Sequence, residues 1–464
     1  MKKFLCCLLA LMTLGVGTAT AVSCGGGNAD KSSQSSESSE SSSATEKKVV
    51  FRLPKKTYIA KREQAVDLGL VFKIDGVGGD WSALTFTSAN PSVATVSNDG
   101  IVTGVSVGKT QVTVSYEEKT LTADVSVVAE ATAENVNTFS EDYVNIYGRS
   151  YVSNGELYLN HAASSIEVGV IGSSLSVTIS SSVASKMRVF VDGETSGTKI
   201  DLEAGERTYT VAENLTDGLH TVRIVKGTEE ISAQWRIISF AADKFFAMPE
   251  KSDLKIEFIG SSDSTGYGIY GSPGQEGTVA NSDCTRAYPY LTAQALNADY
   301  SVVAMTGICT SVYFWAGNYK METLYKQVCA TNETSYAFDF NPDIVVVNLG
   351  SIEASYMTRD DEENSDLTYS TQFSTDYQNF LSTVREKNPN AYIICLYGMI
   401  QKNMGVHNGI RVAVENLADD KIVYNPFTIK EDTNGAMHHP GSQAHKKWAE
   451  DLTAYIQTLD INGD

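Results

Sequence analysis

The periodicity of the chain changes at Leu254, and this change constrains the fold more than any other feature. Before it, segments such as "SVATVSNDGIVTGVSVGKTQVTVSY" and "RTYTVAENLTDGLHTVRIVKGTEE" alternate apolar and polar residues, as strands do when one face meets a core and the other meets water. After it, continuous apolar runs take over at Ile256–Ile259, Tyr300–Met305, Ile344–Leu349, Tyr392–Tyr397 and Ile422–Tyr424. Amphipathic stretches among them predict helices near Tyr288–Leu296, Thr375–Lys387, Asn408–Leu417 and Gln443–Leu459. Strands that are apolar on both faces need helices on both sides, so residues 253–460 predict an α/β unit on a five-stranded parallel sheet. Ser442 is the expected cap of the last helix, with Gly441 at the turn before it.

The period-2 part divides in two. Residues 49–128, broken by Asn-Pro, Asn-Asp-Gly and Val-Gly-Lys turns, predict a small β-sandwich. The string "SANPSVATVSNDGIVTGVSVGKTQVTV" resembles a group-2 bacterial immunoglobulin-like domain, which implies a spacer or adhesion module. Residues 135–245 predict a second, jelly-roll-like sandwich. Ahead of both, residues 1–23 read as a secretory signal whose apolar run, Phe4–Val16, is too short to span a bilayer. Its end, Ala21-Val22-Ser23-Cys24, resembles a bacterial lipobox, which implies a diacylated Cys24; a plain secretory signal cut nearby is the alternative. Residues 24–48 are Ser/Glu-rich with almost nothing to bury, the composition of a disordered tether. The expected location is the bacterial cell surface, with a lipid anchor in the membrane.

The formal charge is −20, and an exported chain without Lys2 and Lys3 carries −22. With no basic stripe to offset it, this charge excludes nucleic acid and anionic polymers as partners and favours neutral substrates. Beyond Cys24, residues Cys284, Cys309, Cys329 and Cys395 have no tight spacing, so neither a disulfide scaffold nor a zinc site is expected. Cys395, within "AYIICLYG", reads as a small buried apolar residue.

Ligands of a parallel sheet sit beyond the carboxyl ends of its strands. There the first strand runs into a turn rich in hydroxyls and glycine, "KIEFIGSSDSTGYGIYG". The loops Gly260–Gly271, Met305–Thr310, Leu349–Tyr356 and Gly435–Ser442 are expected to converge on this rim. Ester hydrolysis needs a hydroxyl, a base and oxyanion donors. A serine in the first loop and a histidine in "GAMHHPGS" supply the first two, and with six histidines in the chain that placement is informative. Ser264 is a weaker candidate nucleophile than Ser262. The string Gly266–Gly271 spells G-x-G-x-x-G but stands too far past its strand for a dinucleotide site. His438, His439 and His445 lack acidic or cysteine partners at ligand spacing, so neither a metal nor an organic cofactor is expected. Tyr313, Phe314 and Trp315 suit either a stacking wall for a sugar ring or packing under the rim.

The segment "IGSSDSTGYG" resembles the first block of SGNH (GDSL-type) hydrolases, G-D-S-I-T-x-G-Y-G in their carbohydrate-esterase branch. "VVAMTGIC", "PDIVVVNLGSIE" and "MHHPGSQAH" resemble the second, third and fifth blocks, and "GLHTVRIVKGTE" the sandwich that precedes the catalytic domain in family-2 carbohydrate esterases. Across about 135–460 the resemblance implies a flavodoxin-like α/β domain with Ser262 as nucleophile and His439 as base. The backbone N–H groups of Ser262 and Gly307 are the implied oxyanion donors. It further implies removal of acetyl groups from neutral polysaccharides or oligosaccharides. Three positions depart from the family: Ser261 replaces an aspartate, Ile352 the asparagine of G-T-N-D, and Met437 the acid two residues before the histidine. Glu353 and Asp432 are candidate replacement acids, and a backbone carbonyl orienting the imidazole is the other possibility. The rival to an active esterase is a pseudo-esterase that binds glycan on an immunoglobulin-like stalk.

Overall fold

β-Branched and aromatic residues at alternate positions give the first two parts their sheets. The computed structural model describes residues 47–129, 143–216, 218–311, 320–354, 367–400, 403–425 and 434–461. The expected signal, most of the tether, Cys24, Tyr313–Trp315 and Asp432 lie outside the described residues. Among residues 49–128, Thr57–Lys61, Lys119–Val128, Gly108–Tyr116 and Thr85–Ser88 form one sheet in that spatial order. The inward residues Val112, Val114, Ala123 and Val125 are buried against Phe72 and Val102 from two small sheets and Leu68 from the link between them.

The second sandwich faces two antiparallel sheets on one another. One runs Val144–Tyr147, Ser165–Ile171, Leu219–Lys226, Ser185–Val191, Thr198–Leu202. The other runs Tyr151–Ser153, Glu156–Tyr158, Trp235–Ala241, Leu175–Ser181, Gly205–Ala212. Val168, Val177, Ile224 and Trp235 fill the space between them.

In the α/β unit, β1 (Lys255–Gly260), β2 (Asp299–Ala304), β3 (Ile344–Asn348), β4 (Tyr392–Leu396) and β5 (Ile422–Tyr424) pair in the order 2-1-3-4-5. Every pairing is parallel. Among the described residues the α-helices in chain order are α1 (Ser262–Thr265), α2 (Tyr288–Leu296), α3 (Met321–Tyr325), α4 (Ser351–Ala354), α5 (Leu367–Lys387), α6 (Met404–Leu417) and α7 (Ser442–Ile456). One face of the sheet packs Phe258, Val302 and Val346 on α2 and α7 through Tyr288, Trp448 and Leu452. The other packs Ile259, Val345 and Cys395 on α5 and α6 through Phe380, Leu381 and Ile410. Cys395 is thus a core residue, as its setting predicts. The expected cap at Ser442 is not found: Gly441 occupies the N-cap position, no side chain bonds there, and Ser442 begins the helix. The chain enters α7 from the extended His439, so capping falls one residue earlier. On α6, Asn403 caps through its side chain, accepting from the Val406 N–H at 3.1 Å.

Sandwich and sheet share the core that holds Tyr147, Phe190 and Val225 beside Ile256, Tyr290 and Tyr300. Their principal polar tie is Arg149, whose guanidinium reaches Glu257 on β1 at 3.1 Å and the carbonyls of Tyr325 and Gln327 at 2.6 and 2.9 Å. The Tyr336 ring lies 3.9 Å beneath it. The side chains of Arg149 and Glu257 are 0% and 2% exposed, so removing either strands a charge in the core. Arg149→Ala is expected to destabilise the protein by about 3–5 kcal/mol, read as a lower urea midpoint at an unchanged slope.

Candidate active site

β1 ends at Gly260 because nothing larger fits: a Cβ there would stand 1.9 Å from the Ser264 hydroxyl. The chain can therefore fold back at once into the single turn of α1, which closes on Gly266 in the left-handed conformation (φ 68°). Ser262 is the first residue of that turn and is buried. Its hydroxyl donates to Nε2 of His439 at 2.8 Å. The other ring nitrogen, Nδ1, lies 2.9 Å from the Ala436 carbonyl. A carbonyl can only accept, so Nδ1 carries the proton and Nε2 is left free to take one from Ser262. Burial holds His439 below its ordinary pKa, opposed by the backbone at Ala436 and Met437.

The loop that presents His439 is bound to the glycines of the first loop. Ala436 N–H donates to the Gly268 carbonyl at 2.9 Å, and Met437 N–H to the Gln275 carbonyl at 3.0 Å. A Cβ on Gly268 or Gly271 would stand 2.4 or 2.7 Å from the Ala436 Cβ. The G-x-G-x-x-G spelling is thus a demand for close backbone approach. Met437 and His438 both take positive φ (50° and 61°), which turns the Ala436 carbonyl toward the ring. Tyr267 covers the imidazole, with centroids 4.7 Å apart, and its hydroxyl accepts from the Gly277 N–H.

Gly307 stands in the loop after β2 at φ 81°. Neither its N–H nor that of Ser262 has an acceptor among the described residues, so both are available to an oxyanion. Glu353 does not serve His439: its Oε1 accepts from the Thr310 N–H (2.8 Å), the Thr310 hydroxyl (2.7 Å) and the Ser311 N–H (3.2 Å), fixing the far end of the Gly307 loop. Ile352, half-buried in α4, has no side-chain donor to offer. Ser264 is committed to Tyr288 (3.0 Å), which leaves Ser262 as the hydroxyl on the base. Ser261 is buried at the N-cap of α1 and makes no capping bond. Asp263 is buried beneath the turn, 3.3 Å from the Ser351 hydroxyl, and burial pushes its carboxyl up to about 7. His445 is buried on α7, accepts from the Tyr288 N–H at 3.2 Å and is pushed down to about 3 by burial; His438 is exposed. The identity of the orienting carbonyl, Ala436, and the Tyr267 cover escape sequence reading. The first has no residue-type signature, and the second shows only as part of "GYG".

Residues 146–249 match the carbohydrate esterase 2 N-terminal family, and residues 75–128 the bacterial Ig-like domain (group 2). The chain is similar to the family-2 carbohydrate esterases. The cellulase/esterase CelE of Acetivibrio thermocellus is 28% identical over 310 residues, 64% of this chain and 37% of that protein. The chain thus spans little more than a third of that relative's length. An acetylxylan esterase/glucomannan deacetylase of Cellvibrio japonicus is 27% identical over 262 residues, 53% of this chain and 71% of that one. A family-two carbohydrate esterase from Clostridium thermocellum, solved with cellohexaose, superposes with a TM-score of 0.62 at 27% identity, covering 68% of this chain and 98% of that one.

Two outcomes follow from the state of His439. A buried imidazole stays neutral to lower pH, so the acid limb of kcat/KM for ester hydrolysis is expected below the ordinary histidine value of 6.5; a midpoint at or above it contradicts the geometry. The Met437 side chain is 55% exposed, and Nδ1 is already engaged by a carbonyl. Met437→Asp, assayed the same way, is expected to raise kcat/KM by no more than about fivefold, the reach of an exposed charge.

Proposed function

We propose that the chain is a serine esterase that removes O-acetyl groups from neutral polysaccharides or oligosaccharides of the xylan or mannan kind. The observation that carries this reading is the 2.8 Å contact between the Ser262 hydroxyl and a histidine whose other nitrogen is held by a carbonyl. The names of the relatives, an acetylxylan esterase/glucomannan deacetylase and a carbohydrate esterase that holds cellohexaose, support the substrate class. Ser262 Oγ attacks the acetyl carbonyl carbon as its proton passes to His439 Nε2. The N–H groups of Ser262 and Gly307 bind the oxyanion. Collapse breaks the C–O bond to the sugar, whose oxygen takes the proton from His439. Water, deprotonated by His439, then attacks the acetyl-enzyme; acetate leaves and Ser262 recovers its proton.

Residues 1–23 are proposed as a lipoprotein signal, 24–48 as a tether from a lipidated Cys24 at the bacterial cell surface, and 49–128 as the spacer. Residues 135–245 and 253–460 are proposed as the working pair of domains. One observation favours the pseudo-esterase instead: Ile352 deprives the site of a side-chain donor whose loss costs about 10²–10³ in rate. The two readings part in one assay. The full-length chain, with 4-nitrophenyl acetate and acetylated xylan, is expected to release acetate, and Ser262→Ala and His439→Ala each to lower kcat by about 10³-fold or more. Equal background in all three proteins leaves the binding reading.

A further inference from the structure

We propose that Glu229, contributed by the second sandwich rather than by the α/β unit, is a positioning residue for the oxyanion site; the inference rests on the esterase reading above. Glu229 follows the strand Leu219–Lys226, and its side chain is 5% exposed. Its Oε2 accepts from the Thr306 N–H at 2.7 Å. Thr306 is the residue immediately before Gly307.

The same threonine touches the nucleophile's turn. Its hydroxyl lies 3.3 Å from that of Thr265, which donates to the Ser262 carbonyl at 3.1 Å. One carboxylate therefore fixes both oxyanion donors relative to one another. Gly307 stands one residue along from the anchored N–H, and Ser262 opens the turn that Thr306 buttresses. The other end of the loop, at Thr310 and Ser311, is held by Glu353. Gly307 is thus suspended between two buried carboxylates, one from each domain.

Stability alone does not account for an acid in this place. Arg149 and the shared aromatic core already join the layers, and burying a carboxylate is costly. The turn that carries it is itself braced, with the Lys226 ammonium donating to the Thr228 carbonyl at 2.6 Å. Such bracing matters where a shift of about 1 Å in a catalytic donor costs about 10²-fold in rate. The neighbouring Glu230 provides the contrast. Its oxygens accept from the N–H groups of Ala330 and Thr331 at 2.8 Å, a contact that ties the domains away from Gly307.

The test uses full-length protein and 4-nitrophenyl acetate. Glu229→Ala is expected to lower kcat by about tenfold to a hundredfold with KM within about threefold. Glu229→Gln, whose side-chain carbonyl still accepts from Thr306, is expected to return kcat to within about fivefold of wild type, and Glu230→Gln to leave it there. Should the alanine protein fail to accumulate, Glu229→Asp, one methylene short of Thr306, gives the same readout. Unchanged kcat in the alanine or aspartate variant overturns the inference, as does a loss confined to KM or an equal loss in the alanine and glutamine variants. A wild type without Ser262-dependent turnover overturns the esterase reading, and this inference with it.

Discussion

A carbonyl oxygen with two donors sets the chemistry available at the rim of the sheet. The Ala436 oxygen accepts from the His439 N–H at 3.0 Å and from Nδ1 of the same residue at 2.9 Å. Histidine can act as a base toward Ser262 only as the Nδ1–H tautomer, and holding the wrong tautomer can cost about 10⁴ in a triad. The carbonyl makes that selection without charge. Burial lowers the His439 pKa, and the carbonyl opposes that shift without the full charge a carboxylate would bring. The result is a weaker base whose reactive, neutral form persists to lower pH than in an ordinary histidine.

The arrangement is paid for in the backbone. Met437 and His438 hold left-handed conformations that cost about 1–2 kcal/mol each in residues with a Cβ. They persist because the loop is over-determined by the bonds from Ala436 to Gly268, from Met437 to Gln275 and from Gly435 to the His439 carbonyl. The first of these could not form with side chains at Gly268 and Gly271, where a Cβ would clash with Ala436. The glycines that resemble a phosphate-binding loop are the complement of a strained histidine loop lying far from them in sequence.

This explains which parts of the molecule were legible in the sequence. The apolar runs at Ile256, Tyr300, Ile344, Tyr392 and Ile422 coincide with β1–β5 to within a residue or two, because burial on both faces leaves few alternatives. Ser262 and His439 were legible through their family blocks, and the structure brings them within hydrogen-bond distance. Reading failed where the partner is backbone or is distant in sequence. A carbonyl was foreseen as the alternative to the acid that Met437 replaces, but Ala436 could not be named as its source because a carbonyl carries no residue-type signal. Glu353 was open to a catalytic reading until its bonds to Thr310 and Ser311 placed it under the Gly307 loop. The last helix starts at Ser442 with Gly441 as its cap, a difference set by how the chain leaves His439 rather than by any local preference.

Ile352 poses the sharpest energetic question. A side-chain oxyanion donor is worth about 2.7–4 kcal/mol, and this chain lacks the usual one. Catalysis by such donors depends on preorganisation as well as number, since a donor that must move into place gives back part of its contribution as reorganisation. The two remaining donors are backbone N–H groups, and neither can rotate away. Ser262 N–H opens a turn closed by Gly266, and Gly307 N–H sits in a loop pinned at Thr306 and again at Thr310. In the proposed reaction the leaving group is a sugar alcohol rather than an amine, so the barrier asked of them is lower than the one a peptidase faces. Two rigid donors and an oriented histidine are the parts that the proposed acetyl transfer to water needs, and on that reading the cost of Ile352 falls on rate.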